Sequence, residues 1–163
     1  MIRDASGSDA AAIAEIYRHY VENTIVTFEI DAVGGDAMRE RITGVQDDGY
    51  PWLVWEEDGD VLGYAHAGVF RDRAAYATTA EVSIYLHPES HGRGVGSALY
   101  TELLGRMRES GTHLAIAAIA LPNPASVALH ESLGFTRAGA FTEVGRKFDR
   151  WIDVGFWELV LAD

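Results

Sequence analysis

Three glycines spaced two apart, in His91-Gly92-Arg93-Gly94-Val95-Gly96-Ser97, separate a stretch that reads as a strand ending at His87 from one that reads as a helix. Glycine accepts a positive φ and presents no Cβ to a ligand, so such a turn can aim several backbone N–H groups at one point. Beyond the turn, Val95, Leu99, Leu103 and Met107 fall near one helical face. A helix start adds free amides and the positive end of a dipole. Strand, glycine turn and helix together predict a cradle for an anion, and a phosphate-bearing ligand is the first expectation.

The charge balance narrows that ligand. A net charge of −12 argues against nucleic acid as a partner, because a phosphate backbone needs a basic footprint. An anionic cofactor must instead be held by local amides and a few arginines, against an unfavourable overall field. The 163 residues suffice for one domain, expected to span 1–163, with a single buried core. The absence of cysteine removes disulfides, thiolate zinc sites and a cysteine nucleophile together. His87 and His91 are four apart, but Pro88 and Gly92 argue against a helix there and no third ligand is evident, so no metal is expected. The first residues show no basic-then-apolar pattern, and the longest apolar run, Leu114 to Pro122, is too short for a bilayer. The expectation is a soluble, cytoplasmic protein that does not engage membranes.

Ser8 or Asp9 is placed to cap a first helix, whose Ile13, Ile16, Tyr17 and Tyr20 share a face. A second helix is expected from about Asp36 to Val45. Trp52–Glu56 and Val61–His66 read as strands around Asp58-Gly59-Asp60, a hairpin signal. A strand from Ala80 to His87 leads into the glycine turn and long helix. His113–Leu121, a helix near Pro124–Leu133, and strands at about Thr136–Val144 and Trp151–Leu161 complete the order. Asn123 as cap, Pro124 at the first helical position and Gly134 after the end are full boundary signals. Antiparallel strands followed by β-α-β-α-β predict an α/β (α+β) fold with a mixed sheet of about seven strands and about four helices.

Two phosphate-loop types fail on this sequence. A P-loop needs Lys followed by Ser or Thr after its last glycine, where this chain has Ser97-Ala98. A dinucleotide fold needs an acidic residue ending the next strand, where this chain has Leu121-Pro122-Asn123. A glycine-rich helix start without any ligand is the bland alternative. Taken with Asn123-Pro124-Ala125-Ser126 and Glu131-Ser132-Leu133-Gly134-Phe135, however, the turn resembles that of the GNAT N-acetyltransferase superfamily. Within it, Tyr50-Pro51-Trp52-Leu53-Val54, the Arg71, Arg73 and Tyr76 triplet, Glu81, Leu129-His130-Glu131-Ser132 and Trp151-x-Asp153-Val154-Gly155-Phe156-Trp157 resemble the phosphinothricin and methionine sulfone (methionine sulfoximine) acetyltransferases. The resemblance covers essentially the whole chain. One departure is His91, where the family usually has Gln or Arg.

The resemblance implies acetyl-CoA as co-substrate, with its pyrophosphate on the turn and its pantetheine arm between splayed strands. It assigns coenzyme binding to Leu86, His87, His91, Gly92, Arg93, Gly94, Val95, Gly96, Ser97, Asn123 and Ser126. An alkyl amine must lose a proton before it attacks, and Glu81 is the candidate base. Strand alternation puts Glu81, Ser83 and Tyr85 on one face, opposite Val82, Ile84 and Leu86. His130, where many relatives carry Tyr, is the candidate acid toward the thiolate or a relay from the amine. Backbone amides near Leu86 and His87 are candidates to polarise the thioester carbonyl. Arg71, Arg73 and Tyr76 can clamp a carboxylate, phosphinate or sulfone. Ser83 and Phe28 are the remaining acceptor contacts, Phe28 as an apolar wall. Trp151, Phe156 and Trp157 are expected in the core or in a homodimer interface.

The sequence thus points to an acetyl-CoA-dependent N-acetyltransferase acting on a small amino acid or analogue by direct transfer, since no thiol is present to carry an acetyl group. Acetylation of a protein N-terminus or a polyamine is the alternative within enzymes. A non-catalytic acyl-CoA-binding module is the alternative outside them.

Overall fold

The computed structural model describes residues 1–161. Their strands are β1 (Ile2–Asp4), β2 (Trp52–Glu57), β3 (Asp60–Val69), β4 (Thr79–Leu86), β5 (Leu114–Leu121), β6 (Thr136–Lys147) and β7 (Arg150–Val160). The helices are α1 (Ala10–Asn23), α2 (Gly35–Asp47), α3 (Val95–Glu109) and α4 (Pro124–Ser132). One mixed sheet runs in the order β1-β2-β3-β4-β5-β7-β6. All its neighbours are antiparallel except β4 and β5, which α3 joins in parallel.

Alternation along the strands sorts side chains onto two buried layers. Leu53, Ala65 and Val82 face α3, where they meet Leu99, Leu103 and Met107. Trp52, Val54 and Tyr64 face α1 and α2, where they meet Ile13, Tyr17, Val21, Met38 and Ile42. The periodic apolar faces expected of the first and third helices are those that are buried.

Two features depart from the sequence expectation. β1 has no counterpart in it: three residues are too few to show a period, and this strand exists through its pairing, Ile2 against Trp55 and Asp4 against Leu53. Asp9 precedes α1 but its carboxylate does not cap that helix. It accepts the Ser6 amide at 2.7 Å and two guanidinium bonds from Arg3, each 2.8 Å, while Arg3 also reaches Glu56 at 2.7 Å. That charge cluster ties β1 to β2 and to the start of α1.

Candidate active site

The parallel pair β4–β5 forks. Its register runs Thr79↔Leu114, Ala80↔Ala115 and Glu81↔Ile116, and pairing stops there although both strands continue. In an antiparallel ladder, alternate residues bond to the same neighbour. The His87 amide donates to the Leu62 carbonyl at 2.9 Å, so odd-numbered residues of β4 bond toward β3. Even-numbered residues therefore turn their amides toward β5, and past Glu81 the Ile84 and Leu86 amides face the opening. This register corrects one expectation: the His87 amide is committed to Leu62 and is not free to polarise a ligand carbonyl. The His87 side chain is also occupied locally, its Nδ1 accepting the Glu89 amide at 3.3 Å.

At the mouth of the fork the glycine turn takes the form that its composition predicts. Gly92 and Gly94 have φ of +74° and +79°, the left-handed region that only glycine enters freely. The amides of Val95, Gly96 and Ser97 precede the first intrahelical bond of α3, from Ala98 to the Gly94 carbonyl at 3.1 Å. The Val95 side chain is buried, so it is the backbone there that is offered to a ligand. Gly96 serves packing as well: a Cβ on it would stand 3.4 Å from Leu129 of α4 and 3.5 Å from Leu86. Arg93 leans away, its Nη2 2.7 Å from Glu57. His91 Nε2 lies 3.1 Å from the Tyr20 hydroxyl, which itself donates to the Leu86 carbonyl. Since that hydroxyl has spent its proton, His91 is the donor of the pair.

Inside the fork are a cavity of about 180 Å³, lined by Tyr20, Val26, Ile84, Leu86 and Leu129, and a smaller one of about 50 Å³. Asn123 and Ser126 line both. Asn123 caps α4 by accepting the Ser126 amide at 3.2 Å. The smaller cavity ends at Tyr100 and His130. His130 is 3% exposed, and burial lowers its pKa, so the ring is neutral at pH 7. Its Nδ1 lies 2.7 Å from the Ser126 carbonyl, which only accepts, so Nδ1 carries the proton. Nε2 must then accept the Tyr100 hydroxyl at 3.0 Å. Both nitrogens are engaged, and the hydroxyl stands on the Nε2 side of the ring.

Glu81 stands at the branch point of the fork, opposite Gly68 of β3 and Ile116 of β5. It is half-buried, and burial raises its pKa above the usual carboxylate value. Ser83 and Tyr85 follow on the same face and line the smaller cavity. Arg71, Arg73 and Tyr76 lie in the connection just before β4, around a separate surface depression with Val69 and Phe70. Arg71 donates to the Tyr76 hydroxyl at 3.3 Å and its guanidinium lies 5.0 Å from the Phe70 ring centre. Phe28 is not brought to these cavities. Its ring covers Gly145 of β6, where a Cβ would collide with it. Trp157 is core, its Nε1 donating to Glu131 at 3.2 Å, whereas Trp151 is exposed. The sequence reading placed Tyr20 only on the apolar face of its helix and did not single out Tyr100; their hydroxyl partners are 66 and 30 residues away.

Among the described residues no His, Asp or Glu group has the arrangement of a metal site. No helix among them is long and apolar enough to cross a membrane.

The fold and sequence have counterparts among known proteins. The sequence profile of the acetyltransferase (GNAT) domain matches residues 2–155. A phosphinothricin N-acetyltransferase of Streptomyces viridochromogenes is 41% identical over 96% of this chain and 85% of its own length. An L-methionine sulfoximine/L-methionine sulfone acetyltransferase of Salmonella typhimurium is 41% identical over 99% of this chain and 95% of its own. An acetyltransferase from Salmonella typhimurium, solved with its cofactor acetyl-CoA, superposes with a TM-score of 0.97 at 40% identity, covering 100% of this chain and 94% of that one. Fold and sequence agree, and the chain belongs to the GNAT acetyltransferases.

Proposed function

We propose that this chain transfers acetyl from acetyl-CoA to the α-amine of a small amino acid or analogue, of the phosphinothricin, methionine sulfone or methionine sulfoximine type. The observation that carries this reading is the end of β4–β5 pairing at Glu81, which places a half-buried carboxylate at the head of a slot walled by inward-facing amides. The residues present fit the coenzyme. The free amides after Gly94 suit its pyrophosphate, and Asn123 and Ser126 line the channel that its arm would follow. When bound, the coenzyme supplies the activated acetyl group.

Glu81 takes one proton from the acceptor's ammonium, directly or through water, so that the free amine attacks the thioester carbon. As the C–S bond breaks, the second proton leaves the new amide nitrogen and neutralises the departing thiolate. The raised pKa of Glu81 suits a group that must accept the first. The Leu86 amide, turned into the slot, is the donor for the thioester oxygen. His130 acts through Tyr100: its neutral Nε2 holds the hydroxyl that stands toward the slot. Arg71, Arg73 and Tyr76, around the surface depression that precedes β4, are the groups read as holding the acceptor's carboxylate. Transfer is direct within a ternary complex, because the chain has no cysteine to carry the acetyl group.

The enzyme is read as a cytoplasmic homodimer. Support for the dimer comes from Phe141, Val144 and Trp151 on the β6–β7 hairpin, all more than half exposed. The test of function is thiol release from acetyl-CoA across amino acids, sulfones, phosphinates, peptides and polyamines. Turnover is expected with methionine-like amino acids. Turnover confined to peptides or polyamines would overturn the acceptor class.

A further inference from the structure

The fork divides the sheet into a near arm, β1-β2-β3-β4, and a far arm, β5-β7-β6, and the chain between α1 and α2 reaches from one to the other. It leaves α1, which packs on β3 and β4. Val26 then lines both cavities of the slot, together with Ile84 of β4 and with Asn123 and Ser126 at the start of α4. Two residues later the Phe28 ring covers Gly145 of β6. Gly145 and Lys147 stand opposite Ile152 and Arg150 of β7, beyond Asp153, which pairs with Leu121 at the end of β5. Residues 24–28 are therefore held by both arms at the end where the arms splay, and Val26 lies between the two attachments.

The near attachment is made by α1. The Thr24 hydroxyl donates to the Tyr20 carbonyl at 2.7 Å and accepts the Val26 amide at 3.2 Å, and the Tyr17 and Thr27 hydroxyls lie 2.7 Å apart. The far attachment is a buried cation. Lys147 is 5% exposed, and its Nζ donates to the Thr27 carbonyl at 2.8 Å. It makes no ion pair among the described residues: Asp149 pairs with Arg146 at 3.6 Å, and Glu29 with Arg41 at 2.7 Å. Burial lowers its pKa, the mark of a charge held at a cost. A fold gains little stability from a buried ammonium without a counter-ion, so this bond calls for another reason.

We propose, on the acetyl-CoA reading above, that Lys147 is a positioning residue: its bond to Thr27 ties residues 24–28 across the fork, fixes Val26 against the slot, and so sets the width open to the coenzyme arm and the acyl group. The smaller cavity, which Val26 lines with Tyr100 and His130, measures about 50 Å³. A segment held at both ends keeps it narrow, and an acyl chain longer by one carbon has to push Val26 outward. Selection of the acyl chain thus depends on a β6 residue that lines neither cavity of the slot.

The test measures acetyl-CoA affinity by calorimetric titration, kcat/KM with acetyl-CoA and propionyl-CoA, and Tm, for the wild type, Lys147→Met and Gly145→Ala. Methionine keeps the length and the apolar stem without the donor. Alanine at 145 displaces the Phe28 ring and leaves Lys147 in place. The wild type is expected to prefer acetyl-CoA by about tenfold or more, the usual worth of one methylene. Both variants are expected to bind acetyl-CoA about three- to tenfold more weakly, the scale of one lost hydrogen bond, and to lose most of the acyl preference. Lys147→Met is expected to keep Tm within about 3 °C of the wild type, since removing an unpaired buried charge offsets the lost bond. Wild-type affinity and acyl preference in Lys147→Met, whatever its Tm, would overturn the positioning role; should that variant fail to fold, the same result in Gly145→Ala would do so. Absence of thiol release by the wild type from either thioester would overturn the acetyl-transfer reading instead, and the affinities would still decide the role of Lys147.

Discussion

The Tyr100 hydroxyl donates to Nε2 of His130 at 3.0 Å, and the other ring nitrogen is bound to the Ser126 carbonyl at 2.7 Å. The one proton of the neutral imidazole is therefore on Nδ1, committed to the Ser126 carbonyl, and the nitrogen on the Tyr100 side has none to hand to a leaving thiolate. What it can do is fix the direction of the Tyr100 hydroxyl. Tyr100→Phe is expected to lower kcat about 10- to 100-fold with little change in KM for acetyl-CoA, the mark of an interaction made in the transition state. His130→Gln, which can still accept from Tyr100, is expected to retain more activity than His130→Ala. Steady-state kinetics of the three variants check this, and an equal loss in His130→Gln and His130→Ala would remove the positioning role.

Glu81 predicts opposite signs for activity and stability. Its pKa is raised by burial, so the folded state holds the proton more tightly than the unfolded chain. Ionised at neutral pH, the carboxylate costs stability, a cost that vanishes as pH falls below its unfolded value. Glu81→Gln is expected to lower kcat by about two to four decades without lowering Tm. The wild-type rate is expected to rise with pH through the Glu81 pKa, and that limb is expected to be missing in the variant. A pH–rate profile and a thermal melt read both signs.

Acid sensitivity is expected to centre on Asp9. Two bonds from Arg3 hold its pKa below the usual carboxylate value. A depressed folded pKa gives stability that is present above the unfolded value near 3.8 and lost as pH falls through the folded one. Asp9→Asn is expected to cost about 2 kcal/mol at pH 7, since it replaces the buried carboxylate that accepts both Arg3 bonds with a weaker, neutral partner. Urea unfolding at pH 7 and pH 3 tests this: the difference between variant and wild type is expected to shrink at the lower pH.

Features of the sequence that were legible share one property, which is that they are local. The glycine turn, the cap at Asn123, the stop at Gly134 and the alternation of Glu81 with Ser83 each depend on neighbours within a few residues. β1, the Tyr20–Leu86 bond, the Tyr100–His130 pair and the direction of the His87 amide depend on partners far along the chain. The amide of His87 is instructive: alternation alone gives two possible directions, and only the register against Leu62 chooses between them. Phe28 shows the converse limit, since nothing in its own segment signals that Gly145, more than a hundred residues later, provides the flat surface it covers.

Gly94 and Gly96 look equivalent in the sequence, and the structure separates them. Gly94 has a φ of +79° and open space where a Cβ would point, so its role is to turn the backbone. Gly96 lies in α3 with an ordinary φ, and a Cβ there presses on Leu129 at 3.4 Å. Gly94→Val is expected to distort the turn and weaken acetyl-CoA binding by at least about tenfold, with a modest loss of Tm for backbone strain of about 1–3 kcal/mol. Gly96→Val is expected to push α4 away from α3, lowering Tm by the overpacking cost of about 1–3 kcal/mol and carrying Asn123, Ser126 and His130 with it. Calorimetric titration at saturating acetyl-CoA distinguishes them. Gly96→Val still binds the pyrophosphate end of the coenzyme but loses kcat, because the helix that holds His130 has moved, whereas Gly94→Val loses binding first. Identical behaviour of the two variants would mean that both glycines act through the turn alone.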